Sequence, residues 1–174
     1  ANKLWNAGRY VLIQTGDAAP AGPAEENLSL WDRWILEELD RTAAQVEASL
    51  AEFRFYEAAD ALYHFVWHRY CDWYVEVSKV GLSPSAPQAR REATRHVLFR
   101  VLDGVLRLLH PFMPFLTEAL WEKMPGRTSP LVSAEYLRPS GRTASNGEAV
   151  EALMDLVTQI RTVRTEQGLP PGQS

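Results

Sequence analysis

Residues 55–80 read FYEAADALYHFVWHRYCDWYVEVSKV, a run without proline or glycine. Stepped at about 100° per residue, Phe55, Ala59, Leu62, Val66, Trp73, Val77 and Val80 share one narrow stripe. Tyr56, Tyr63, Trp67, Tyr70 and Tyr74 flank it as an aromatic stripe, and Glu57, Asp60, His64, His68 and Asp72 fall on the far side. A helix with about two-thirds of its girth apolar or aromatic is wrapped by neighbours on several sides. The pattern therefore predicts the central helix of a bundle, with Trp73 and Leu62 deeply buried. Nine of the 18 aromatic residues lie within residues 53–74, so most large-residue burial is expected around this helix.

Working outward, the preceding helix is expected to start at Ser29, whose pairing with Asp32 three residues later resembles a capping box. Trp31, Ile35, Leu39, Val46, Leu50 and Phe53 form its core stripe. Residues 14–27, QTGDAAPAGPAEEN, are turn formers and small residues and read as a linker. A first helix spans residues 2–12. After residue 80, a loop with two prolines leads into a helix over residues 87–110, with Val97, Val101, Val105 and Leu108 inward. Pro114 opens a short helix that ends at Pro125-Gly126. Residues 125–146 are irregular, with a brief extended piece expected at residues 131–134. A last helix over residues 148–167 places Val150, Leu153, Val157, Ile160 and Val163 inward, with Gly168 as its cap and Pro170-Pro171 beyond. No alternating strand pattern of useful length occurs. The expectation is an all-α, mostly antiparallel bundle of about six helices, one domain over residues 1–174.

The totals bound the function. A chain of 174 residues suits one domain with a good core, and its net charge of −4 excludes a generally basic nucleic-acid binder. The charge is segregated, however: the first helix carries Lys3 and Arg9 with no acid, and residues 85–110 hold five arginines against Glu92 and Asp103. The single cysteine fits a reducing compartment, and no apolar run reaches the length of a membrane span. The opening ANKLWNAGRYVLI is helical from its first residues yet lacks a capping residue, which suggests a piece of a longer protein.

Catalytic signals are weak. His64 and His68 stand four apart with Asp60 and Asp72 on the same face, a metal-ligand spacing on paper, but no glutamate or second cluster completes it. Cys71 has His68 nearby and nothing resembling an oxyanion hole. Phosphate-binding and nucleophile-elbow motifs have no match. The residues predict no catalytic group and no metal site.

Two features stand out. The polar side of the first helix gathers Asn2, Lys3, Asn6, Arg9 and Tyr10 within about 120°. On residues 55–80, Cys71 and Val75 point toward the polar side near the C-terminal end. A set of amides, bases and one aromatic ring is what splayed single-stranded bases need. It equally suits a face that meets another part of a longer protein, and both readings stay open on spacing alone.

The segments NKLWNAGRYVL, ADALYHFVWHRYCDWYVEVSK, LLHPFMPFLTEALWEKM and IRTVRTEQGLPP closely resemble the valyl-tRNA synthetases, in that family's order and over nearly the whole chain. The related isoleucyl enzymes, the alternative, carry different residues at CDWY. The resemblance implies the helical anticodon-binding domain that follows the catalytic domain of a class I synthetase. By matching position it points to Asn2, Lys3, Asn6, Arg9, Tyr10 and Val75 as anticodon-contacting residues. Tyr10 stands where phenylalanine is common, which keeps a stacking role. The HIGH and KMSKS signatures have no match. The intact parent is thus expected to join valine to its tRNA with ATP and Mg in the cytoplasm, and this piece to be inactive alone. Its expected partners are the tRNA(Val) anticodon stem-loop and the parent's catalytic domain. A helical protein-interaction module without nucleic-acid binding is the alternative from a different class.

Overall fold

A computed structural model describes residues 1–141 and 147–168. It is all-helical, with no strand among the described residues. The chain divides into two compact units, Ala1–Thr143 and Ala144–Ser174.

In the first unit, α1 covers Asn2–Thr15 and a short 3-10 turn covers Glu25–Asn27. The second helix, α2, covers Leu30–Ala51 and starts with the complete capping box: the Asp32 amide donates to Ser29 Oγ, and the Ser29 amide donates to Asp32 Oδ2. Then comes one uninterrupted rod. It begins as α3, Phe55–Tyr63, widens into a π-helix over His64–Tyr74, and ends as α4, Val75–Gly81. Tyr63 and Val75 both keep right-handed helical backbone, so the rod passes both junctions without a break. Next, α5 covers Gln88–Leu109, and α6 covers Pro114–Trp121 with Pro114 in its first turn. Residues Leu131–Ser133 form a 3-10 turn rather than an extended piece.

The π segment corrects the expected burial of the long rod. Its buried side runs Ala58, Leu62, Val66, Tyr70, Tyr74 and Ser78, a strict four-residue spacing. In an α-helix each such step overshoots a full turn by about 40°, so these six would spiral off one face. The wider i→i+5 turn absorbs that drift. Tyr70 and Tyr74 are therefore fully buried, whereas Trp73 is only half-buried and stacks on Trp31. Phe55 and Val80, assigned inward by a 100° step, are exposed, as is Phe53.

The most enclosed helix is α5. Between Val97 and Leu109 nearly every residue is buried, including the Val97, Val101, Val105 and Leu108 stripe, and one charged edge of Arg100, Asp103 and Arg107 interrupts the apolar surface. It packs on α1, α2, α4 and α6. Gly8 of α1 allows close approach to α6: a Cβ there would stand 2.8 Å from a Leu120 methyl.

The second unit contains α7, Gly147–Glu166, ending at Gly168 with φ 66°. Val150 and Met154 are buried, but Leu153, Ile160 and Val163 are exposed. Those three were expected inward. The described part of this unit holds one helix, and no second element within it covers them. Pro170 and Pro171 lie outside the described residues.

Candidate nucleic-acid interface

The first helix lies beside the long rod and runs in the same direction. Lys3 Nζ meets Asp72 Oδ1 at 2.6 Å, and about two turns further along α1, Tyr10 Oη lies 3.1 Å from Ser78 Oγ. Between them is a groove lined by Lys3, Asn6, Ala7, Tyr10, Cys71, Asp72, Val75, Glu76 and Lys79, with a volume of about 350 Å³. Four of the six residues singled out from the sequence, Lys3, Asn6, Tyr10 and Val75, line this one groove. The other two, Asn2 and Arg9, are exposed and are not among its lining.

Local chemistry explains why each side chain stands where it does. Leu4, Ala7, Gly8 and Val11 bury one side of α1, which leaves its polar side to the groove. Tyr10 is half-buried, so its ring forms part of the groove wall rather than a free surface ring. Cys71 and Val75 are buried against the groove instead of facing the polar side, because the π turn rotates them toward α1. Burial pushes the Cys71 thiol from its ordinary 9 up to about 11, with Lys3 pulling down and Asp72 pushing up. It is a neutral wall group, not an activated nucleophile.

Electrostatically the groove differs from the bare α1 wheel. The first helix has no acid of its own, but the rod supplies two. Asp72 holds Lys3, while Lys79 reaches both oxygens of Glu76 at 2.7 Å. The groove lining thus balances two cations with two carboxylates. Arg9, beside it, has no ion-pair partner among the described residues and is the cation most open to a phosphate. Sequence reasoning missed Asp72, Glu76 and Lys79 as groove residues, since nothing local marks a pairing across 69 positions.

The arginines of α5 serve mainly the fold. Arg90 approaches Asp32 at 3.9 Å, Arg91 donates to the Pro84 and Ala86 carbonyls, and Arg100 and Arg107 pair with the buried Asp103. Arg127 also pairs with Asp103 and lies 4.1 Å over the Trp121 ring. Asp32 itself accepts from Tyr74 Oη at 2.6 Å, which ties the start of α2 to the rod. His64 and His68 each face the acid one turn away, Asp60 and Asp72, at 3.6 Å. Among the described residues, no group of three or more His, Cys, Asp or Glu converges as metal ligands. No helix among them is long and apolar enough to cross a membrane.

Comparison with known proteins gives the family of the chain. A family model described as the anticodon-binding domain of tRNA ligase matches residues 32–174. The chain is 42% identical to a valine–tRNA ligase of Carboxydothermus hydrogenoformans, over 99% of this chain and 20% of that protein. It is 43% identical to one of Lactiplantibacillus plantarum, over 95% of this chain and 19% of the relative. It is 41% identical to one of Streptomyces coelicolor, over 99% and 20%. The chain thus spans about a fifth of the length of the curated relatives it matches. A helical bundle with an aromatic, amide- and base-lined groove and a family match over most of its length leads to one assignment: the chain belongs to the anticodon-binding domain family of the tRNA ligases.

Proposed function

We propose that this chain is the anticodon-binding bundle of a valine–tRNA ligase, and that the groove between α1 and the rod receives the anticodon loop of tRNA(Val). The observation that carries the reading is the convergence of Lys3, Asn6, Tyr10 and Val75 on one groove. Three kinds of contact are available there. The Tyr10 ring offers a stacking platform for a base, with Val75 as apolar wall. Asn6 and Asn2 offer hydrogen bonds to base edges, and Arg9 a charge for a phosphate. The chain acts by holding and orienting RNA. Valine, ATP and Mg are handled by a catalytic domain elsewhere in the longer ligase, in the cytoplasm.

The test is a salt series of titrations of the full-length ligase with a valine anticodon stem-loop. Tyr10→Ala is expected to weaken binding by about 1–3 kcal/mol, the worth of one stacked base. Arg9→Ala should weaken it as well, and lower the slope of log affinity against log salt by about 0.7, for one phosphate on a single strand. Glu57→Ala, on the rod far from Val75, should leave binding unchanged. Wild-type binding by both Tyr10→Ala and Arg9→Ala would mean that the groove is not the anticodon site, and would favour a purely protein-binding module.

A further inference from the structure

The turn between α2 and the rod is built at a conformational cost and presents three aromatic rings to solvent. It closes α2 with the Arg54 amide donating to the Ser49 carbonyl and the Phe53 amide to the Leu50 carbonyl. That is the Schellman pairing, and it puts Phe53 in the position usually held by glycine. Phe53 accordingly has φ 58°, the one non-glycine residue with positive φ among the described residues. Its ring is 79% exposed, next to Phe55 at 56% and Tyr56 at 81%. The Phe53 and Phe55 rings meet edge to face at 6.2 Å. About two turns beyond Phe55 and Tyr56 along the rod, Tyr63 stacks on Trp67, so aromatic surface continues up the same element. The Schellman turn accounts for the left-handed backbone but not for phenylalanine in place of glycine, and a strained phenylalanine whose ring faces water does nothing for this unit alone.

We infer that the Phe53-Phe55-Tyr56 apex is a docking knob for another part of the same full-length ligase, a polypeptide surface offering an apolar socket edged with basic side chains. The inference rests on the reading that this chain is one part of a longer ligase, and does not depend on where RNA binds. Three observations select the occupant. The chain covers about a fifth of its relatives' length, so a ligase of that size has four-fifths of its polypeptide available to meet this face. The apex is acidic: Glu52, Glu57 and Asp60 stand there against Arg54 alone, and Arg54 is held by Glu52 and Glu57 at 3.1 Å each. That field repels a polyanion and suits lysines and arginines around a socket. The apex also stands apart from the groove. Lys3 at the start of α1 is level with Asp72, so the start of the rod lies beyond the N-terminal end of α1, and the groove extends the other way.

Hydroxyl-radical oxidation of the full-length ligase tests this on native side chains. Rates at Phe53, Phe55 and Tyr56 are read by peptide mass spectrometry and divided by the rates in the unfolded enzyme, with and without tRNA. Docking predicts a slowing of about tenfold or more without tRNA, the protection expected of rings taken out of solvent. Rates near the unfolded ones in both conditions would overturn the inference. Protection only when tRNA is added would also overturn it, and would assign the apex to RNA. Failure of the stem-loop titrations would leave the tRNA-free footprint unaffected, so the two readings are separable.

Discussion

The Tyr10 hydroxyl donates its proton to Ser78 Oγ. Ser78 spends its single proton on the Val75 carbonyl at 2.7 Å, so across the 3.1 Å to Tyr10 it can only accept. The buried serine thereby fixes the ring that forms the groove wall.

This separates two roles of Tyr10. Tyr10→Phe retains the ring and loses the anchor, so stem-loop binding should stay within about twofold of wild type, against the 1–3 kcal/mol expected for loss of the stacked ring. Urea melts should show a cost of about 0.5–1.5 kcal/mol, the worth of one neutral hydrogen bond. A loss of binding by Tyr10→Phe as large as that of Tyr10→Ala would transfer the role from the ring to the hydroxyl.

Asp72 restrains the groove. Its bridge to Lys3 is partly exposed on both sides, so it contributes little to stability, about 0.2–1 kcal/mol. It does occupy the ammonium that a phosphate would need. Asp72→Asn should therefore tighten stem-loop binding and steepen its salt dependence, by up to about 0.7 in slope. Unchanged affinity and slope would show that Lys3 faces no phosphate.

The rod supplies a matched pair of buried phenols with opposite outcomes. Tyr74 donates to the carboxylate of Asp32, whereas the Tyr70 hydroxyl finds no partner among the described residues. Tyr74→Phe should cost about 1.5–3 kcal/mol, as for a hydrogen bond to a buried charge. Tyr70→Phe should stabilise by about 1–2 kcal/mol by removing an unsatisfied group. Denaturant melts of the two variants shifting in the same direction would contradict this assignment.

Cys71 sets where alkaline destabilisation begins. The fold raises its pKa from 9 to about 11, so between those values the unfolded chain gives up a proton that the folded chain keeps. Stability from this group is full below pH 9 and falls as pH rises toward 11. Burial pushes Tyr70 and Tyr74 well above their ordinary 10, so they add to the loss only above pH 10. Cys71→Ala should move the onset of the decline from about pH 9 to about pH 10, read from melts across that range. An unmoved onset would assign the decline to another group.

How far the sequence could be read depended on whether the signal was local. The Ser29-Asp32 box, Pro114 at a helix start and the apolar stripe of α5 are local or periodic, and the structure holds all three. The polar side of α1 was equally legible, and Lys3, Asn6 and Tyr10 do share a groove. Tyr70 and Tyr74 were placed beside the core stripe and Trp73 within it, because a wheel at 100° presupposes α winding, although the even spacing of the two tyrosines with Leu62 and Val66 was in plain view. Asp72 was read as part of a polar far side because its partnership with α1 depends on how two helices lie together. Phe53 was counted in a core stripe, since no residue preference marks a left-handed phenylalanine.

The winding of residues His64–Tyr74 couples distant parts of the molecule in rotation. Wound as an α-helix from Val66 onward, the rod would carry Ser78 about 120° out of line with Val66 over three steps of four. Tyr10 would then lose its acceptor, and Asp72, Val75, Glu76 and Lys79 would turn with it, without substitution of any groove residue. A core substitution at Tyr70 that lets the turn tighten is therefore a torsional change, transmitted along the rod to the wall on which an anticodon base would rest.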